Sequence, residues 1–149
     1  LILEALRLQD RRWLEWFTRD VERRASEPRE RLLAVFEVLE AWFDQADFQG
    51  CAFLRACQEY PDLGSPARQV ARRHQESIRD YLRRLAEDAS LPEPDTVVAQ
   101  MCLLMAGAIV TAQAGGGSQA ARHALAIAET LIEAAQPGEP TPAGETWID

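Results

Sequence analysis

Cys51, Cys57 and His74 are the side chains in this sequence with the most chemistry to offer, and their spacing decides which chemistry. The two thiols stand in a C-x5-C pattern within "FQGCAFLRACQEYPD", residues 48–62. A zinc knuckle uses closer spacing, C-x2-C to C-x4-C. On a helix, six positions turn the chain through roughly 600°, which sets the two side chains on opposite sides. No metal site is expected from them. Cys51 follows Gly50 at a predicted helix start, where the local dipole favours a thiolate. Thiol-based redox sensing through Cys51 and Cys57 therefore stands beside the plainer reading of two apolar core cysteines. With Cys102 the count is three, an odd number that fits a reducing compartment better than a disulfide framework.

His74 falls on the apolar stripe of its segment, between Ala71 and Ile78. It reads either as a buried neutral imidazole with one hydrogen-bond partner or as a polar anchor inside a ligand cavity. The other histidine, His123, lies on a different predicted helix without ligand spacing. No serine or cysteine has a base and an orienting acid near it in sequence, and "GGGS", 115–118, lacks the lysine and strand of a phosphate loop. The expectation is a protein that is not an enzyme and uses no cofactor.

The aromatics form a second constellation. Trp13, Trp16, Phe17, Trp42, Phe43, Phe48, Phe53 and Tyr60 all fall in the first half of the chain, and Met101 and Met105 join them from a later apolar segment. Such residues fill ordinary cores. Bulky rings that do not pack flush also leave clefts, and an apolar cleft with few polar groups suits flat, apolar or amphipathic small molecules. Methionine lets such a cleft adapt to more than one shape.

The elements that must hold these residues read as helices throughout. Leu3, Leu6, Trp13, Phe17 and Val21 recur near a 3.6 period over 2–24. Ser26 is the predicted N-cap of a second helix, 28–46, with Leu32, Phe36, Leu39 and Phe43 on one stripe and Val35 and Trp42 beside it. Gly50 and "YPDLGSP" bound a short third helix, 51–59. Ser65-Pro66 starts a fourth, 66–90, whose outer face, Arg68, Arg72, Arg73, Glu76, Asp80, Arg83, Arg84 and Glu87, reads as a solvated strip with i,i+4 pairs. A fifth, 95–114, is apolar all round: Val97, Val98, Met101, Cys102, Leu104, Met105, Ile109 and Val110. A helix apolar on every side must be buried on every side, and in a domain this small a partner subunit can supply the cover. The sixth, 119–135, interleaves alanines with Leu125, Ile127, Leu131 and Ile132, which permits close helix approach. From Gln136 the chain is rich in Pro, Gly, Thr and Glu and is expected to be a disordered tail, 136–149.

The 149 residues suffice for one domain with its own core. The net charge of −8 argues against a nucleic-acid-binding face. All 16 basic residues are arginine, which fits a coding bias of a bacterial genome. The longest apolar run, Val97 to Val110, is shorter than the ~20 residues of a membrane span and contains Gln100. No membrane segment is expected, and the chain reads as cytoplasmic. It begins at Leu1, already in helical rhythm, and so looks like part of a longer protein.

Six helices in this order, long, long, short, long, apolar and alanine-rich, resemble the C-terminal ligand-binding and dimerisation domain of TetR-family transcriptional regulators. The match is most specific over "ADFQGCAFLRACQEYPDLGSPARQVARRHQESIRDYL", 46–82: Asp47, Phe48, Gly50, Cys51, Phe53, the Glu59-Tyr60-Pro61 stop and His74. "MAGAIVTAQAGG", 105–116, is similar to the family's penultimate helix. The resemblance implies an all-α, six-helix bundle over 1–135 that dimerises through its last two helices. It implies a pocket for a small effector lined by Trp13, Phe17, Trp42, Phe43, Phe53, Cys57, His74, Ile78, Met101 and Met105. It implies a homodimer interface built on Val98, Cys102, Ile109, Ala121, Ala124, Leu125, Ala128, Leu131 and Ile132. The family's helix-turn-helix has no counterpart here, so DNA would be reached only through a domain absent from this chain. An assembly module without a ligand is the alternative from a different class.

Overall fold

Six α-helices follow one another with no strand among the described residues, 2–135, of the computed structural model: α1 Ile2–Arg24, α2 Pro28–Phe43, α3 Ala52–Glu59, α4 Pro66–Asp88, α5 Pro94–Thr111 and α6 Gln119–Ala134. The tail expected over 136–149 lies outside the described residues.

Local chemistry sets most boundaries. Ser65 caps α4, its Oγ accepting the Arg68 N–H at 3.3 Å, with Pro66 at the first helical position. Arg23 and Arg24 place positive charge on the last turn of α1. At α2 the expected cap is displaced by one residue. Glu27, not Ser26, holds the N-cap position and makes no side-chain cap bond. Pro28, with its fixed φ and missing N–H, starts that helix instead.

Helix α2 runs through the middle of the bundle, packed against α1, α4, α5 and α6. Leu32, Val35, Phe36, Val38 and Leu39 are all fully buried. These residues cover more than the single predicted stripe, because neighbours enclose the helix on several sides. Phe17 and Val21 of α1 dock onto this core, as do Ile78, Leu82 and Leu85 of α4.

Helix α5 is apolar all round, yet it presents two different faces. Val97, Val98, Met101, Met105, Ala108 and Ile109 are buried between α4 and α6, while Leu103 is 75% and Val110 54% exposed. In α6 the alanine face, Ala120, Ala121, Ala124 and Ala128, together with Ile132, lies buried against α2 and α5, and Ile127 on the outer face is 50% exposed. Small side chains let α6 approach its two neighbours closely, which is why that face turns inward. Of the nine residues expected between subunits, Val98, Ile109, Ala121, Ala124, Ala128 and Ile132 are thus buried within the protomer, and Cys102, Leu125 and Leu131 are half-buried. The outward apolar residues of the two helices are Leu103, Val110 and Ile127.

A widened turn, Ala112–Gly116, extends α5, so that Pro94–Gly116 is long and apolar enough, by length and composition, to cross a membrane. Its inner side packs between α4 and α6. Gly115 leaves helical geometry there with φ +101°. Gln113 in this turn lies against Gly50, which has φ +87°, and a Cβ on Gly50 would stand 1.6 Å from Gln113 Nε2. Glycine is needed at 50 both for its backbone angle and for this close approach, which seats the start of α3 against the end of α5.

Candidate ligand site

Trp13 and Trp16 of α1 and Trp42 at the end of α2 stand around an open cleft of about 510 Å³. That size lies within the usual range for small-molecule sites, roughly 300–1,000 Å³. The helical spacing of α1 brings Leu8, Gln9 and Arg12 to the same opening, and Gln45 closes the far side. Trp13 meets Trp16 edge-on at 6.1 Å and Trp42 edge-on at 5.6 Å between centroids. Behind it, Phe17 stacks on Trp13 at 4.7 Å. Three indoles held at steep angles cannot pack flush, and the cleft is the space they leave.

Trp13 also walls a second, inner cavity of only about 20 Å³, room for about one water. His74, Ile78, Met105, Cys51, Cys102 and Ile109 complete it. His74 is 2% exposed. Its ring stacks on Phe53 at 3.8 Å and meets Trp13 edge-on at 5.1 Å. Its Nδ1 lies 2.8 Å from Asp10 Oδ1. Against a carboxylate, Nδ1 is the N–H donor of a neutral imidazole, which leaves Nε2 as an acceptor with no partner among the described residues. Burial pushes the His74 pKa down, and the Asp10 carboxylate opposes this without overcoming it.

The direction of that shift carries a stability prediction. Just below the ordinary histidine value of 6.5, the unfolded chain binds a proton at residue 74 that the folded chain refuses. The contribution is therefore complete above that value and is lost as the pH falls towards the lowered native one. Urea unfolding from pH 7.5 to 5 should show a decline in stability that is shallower in His74→Gln. Equal slopes for both proteins would refute the assignment.

The expected pocket residues divide among several places. Trp13 and Trp42 line the open cleft, and Trp13, His74, Ile78 and Met105 the inner cavity. Phe53 supports His74 from behind. Phe17, Phe43 and Met101 belong to the packed core. Cys57 lines neither space; its carbonyl, with that of Tyr60, accepts from Arg68 Nη1 at 2.8 and 3.2 Å. Arg68 was grouped with the solvated strip of α4. Instead it caps the C-terminus of α3, where a cation suits the exposed carbonyls. The strip does hold one i,i+4 pair, Arg72 with Glu76 at 3.2 Å. Sequence reasoning left out Leu8, Gln9, Arg12 and Gln45 as cleft residues, and it held Trp16 among the aromatics without naming it to the pocket. The 3.6 period through Trp13 would have found Gln9 and Trp16, but nothing local points to Gln45.

Burial governs two of the three thiols. Cys51 occupies the N-cap position of α3, where the backbone N–H groups of Phe53 and Leu54 favour its thiolate, but burial dominates and raises its pKa. Burial likewise raises Cys102, against the opposing effect of Arg79. Among the described residues no group of three or more His, Cys, Asp or Glu side chains is arranged to hold a metal ion.

A helical bundle with this element order, a cleft on its first helix and an apolar outer face on its last two falls in the class of C-terminal domains carried by bacterial transcriptional regulators. The chain belongs to the tetracyclin repressor-like C-terminal domain family, whose model matches residues 28–128. It is 30% identical over 80 residues to the HTH-type transcriptional regulator YjdC of Escherichia coli, a stretch covering 54% of this chain and 42% of that protein. Less than half the length of that curated relative is therefore matched. A proposed TetR transcriptional regulator from Streptomyces avermitilis is 32% identical, with a TM-score of 0.68 over 74% of this chain and 60% of the other. SCO4454, a TetR-family regulator from Streptomyces coelicolor, shares the fold with a TM-score of 0.83 over 91% of this chain and 71% of its own, at 20% identity.

Proposed function

We propose that this chain is the regulatory domain of a cytoplasmic TetR-type transcriptional regulator, which pairs with a second copy and binds a small effector in the cleft between α1 and α2. The observation that carries the reading is the position of the cleft on α1. A ligand seated among Trp13, Trp16 and Trp42 touches α1 and the end of α2 together. It favours whichever arrangement of the two helices it binds more tightly, and its influence extends no further than that difference in affinity. In a longer protein α1 would pass the change to a preceding DNA-binding domain, and operator half-sites have fixed spacing. Pairing through the outer faces of α5 and α6 would cover Leu103, Val110 and Ile127, apolar surface that water otherwise meets. An assembly module without a ligand would leave the tryptophan cleft without a role.

Light scattering coupled to size exclusion tests the pairing. The expected mass is twice the 16.7 kDa of one chain, and a single-protomer mass at micromolar concentration would overturn that part of the proposal.

A further inference from the structure

The cleft carries one charged side chain, and it is unpaired. Arg12 makes no ion pair or hydrogen bond among the described residues. The indole Nε1–H of Trp13 is buried and has no acceptor. A guanidinium and an indole N–H are both donors and nothing else. The lining contains no carboxylate; its remaining polar groups are the indole N–H groups of Trp16 and Trp42 and the amides of Gln9 and Gln45. Indole faces attract cations as well as flat rings, but a fixed positive charge in the wall opposes a cationic guest. The contrast with the rest of the molecule is clear, since the whole chain carries a net charge of −8. In this acidic protein, the one charged group lining the cleft is basic.

We propose that the cleft takes planar aromatic carboxylates, with the ring among Trp13, Trp16 and Trp42 and the carboxylate within reach of Arg12. This rests on the effector-binding reading above and names the chemical class that reading leaves open. Shape and apolar contact supply affinity for any flat ring. Arg12 adds the preference for an anionic acceptor, because an ion pair forms only with that member of a matched set.

Calorimetric titration of the full 149-residue chain with three naphthalene probes separates the two claims. The probes are 2-naphthoate, its neutral methyl ester, and the (2-naphthylmethyl)trimethylammonium cation. The naphthoate should bind roughly fivefold or more tighter than the ester, with the cation weakest. Arg12→Gln should bring naphthoate down to the level of the ester and leave the ester unchanged. Arg11→Gln, one position along α1 and outside the cleft, should leave all three as they were. Equal binding of the three probes, or naphthoate binding untouched by Arg12→Gln, would overturn the anion preference while the cleft remained a ligand site. Binding of none of the three would overturn both this inference and the assignment of the cleft.

Discussion

A chain carrying Leu103→Glu and Ile127→Glu is expected to run as a single protomer at concentrations where the parent runs as a pair. Both side chains stand on the outer faces of α5 and α6, one 75% and the other 50% exposed. In a symmetric pair each substitution occurs twice, so four apolar contacts are lost and four like charges are brought together. Covering a large aliphatic side chain is worth about 1.5–3 kcal/mol when complete. Even partial cover at these positions amounts to at least ~3 kcal/mol, a weakening of roughly a hundredfold or more. Sedimentation equilibrium of the two proteins over a dilution series measures it directly. The isolated protomer should keep its helical circular dichroism, because neither residue belongs to the buried core. An unchanged mass would mean that the outer face has no part in pairing. The six interior residues of the expected interface give the contrast. Ile132→Ala, for example, should lower the stability of the protomer itself.

Phe17→Ala should cost about 3–5 kcal/mol, the usual range for removing a fully buried aromatic ring. Phe17 has no exposed surface, stacks on Trp13 at 4.7 Å and meets Tyr81 edge-on at 6.1 Å. Of the twenty-three residues of α1, only Phe17 and Val21 are fully buried. The ring therefore provides much of the hold between α1 and the bundle. For a chain of this size each kilocalorie lowers the melting temperature by about 2–4 °C, so a fall of roughly 6–20 °C is expected. The loss should extend to the cleft. Without its stacked support Trp13 is freed from one side, and ligands should weaken along with stability. Leu63→Ala, at a position 74% exposed, should stay within ~0.5 kcal/mol of the parent. A loss below 1 kcal/mol for Phe17→Ala would show that α1 is held by something other than this contact.

How much of this was legible in the sequence depends on the range of the interaction concerned. Helix α4 was readable at its start, because Ser65 and Pro66 act on their immediate neighbours. Ser26 was misread by one position for a related reason: Pro28 fixes the first helical residue more firmly than a hydroxyl cap does. Arg68 was grouped with a solvated strip by its place on the helical wheel, yet it caps α3 from a distance of eight and eleven residues. The Asp10–His74 contact spans 64 residues, and no spacing rule reaches that far. Trp13 and Trp42 line the open cleft, whereas Phe17, Phe43 and Met101, equally apolar, lie in the packed core.

Amino-acid order alone determined the six helices of the described residues and where nearly all of them begin and end, since propensity, capping and breakers act within a turn or two. Tertiary structure decided which side of α5 faces inward and which aromatics were left around a space. A helix apolar on every side offers its sequence no preferred face. Only the competition among neighbours for close packing, which the alanines of α6 win, turns Met101 inward and leaves Leu103 in water.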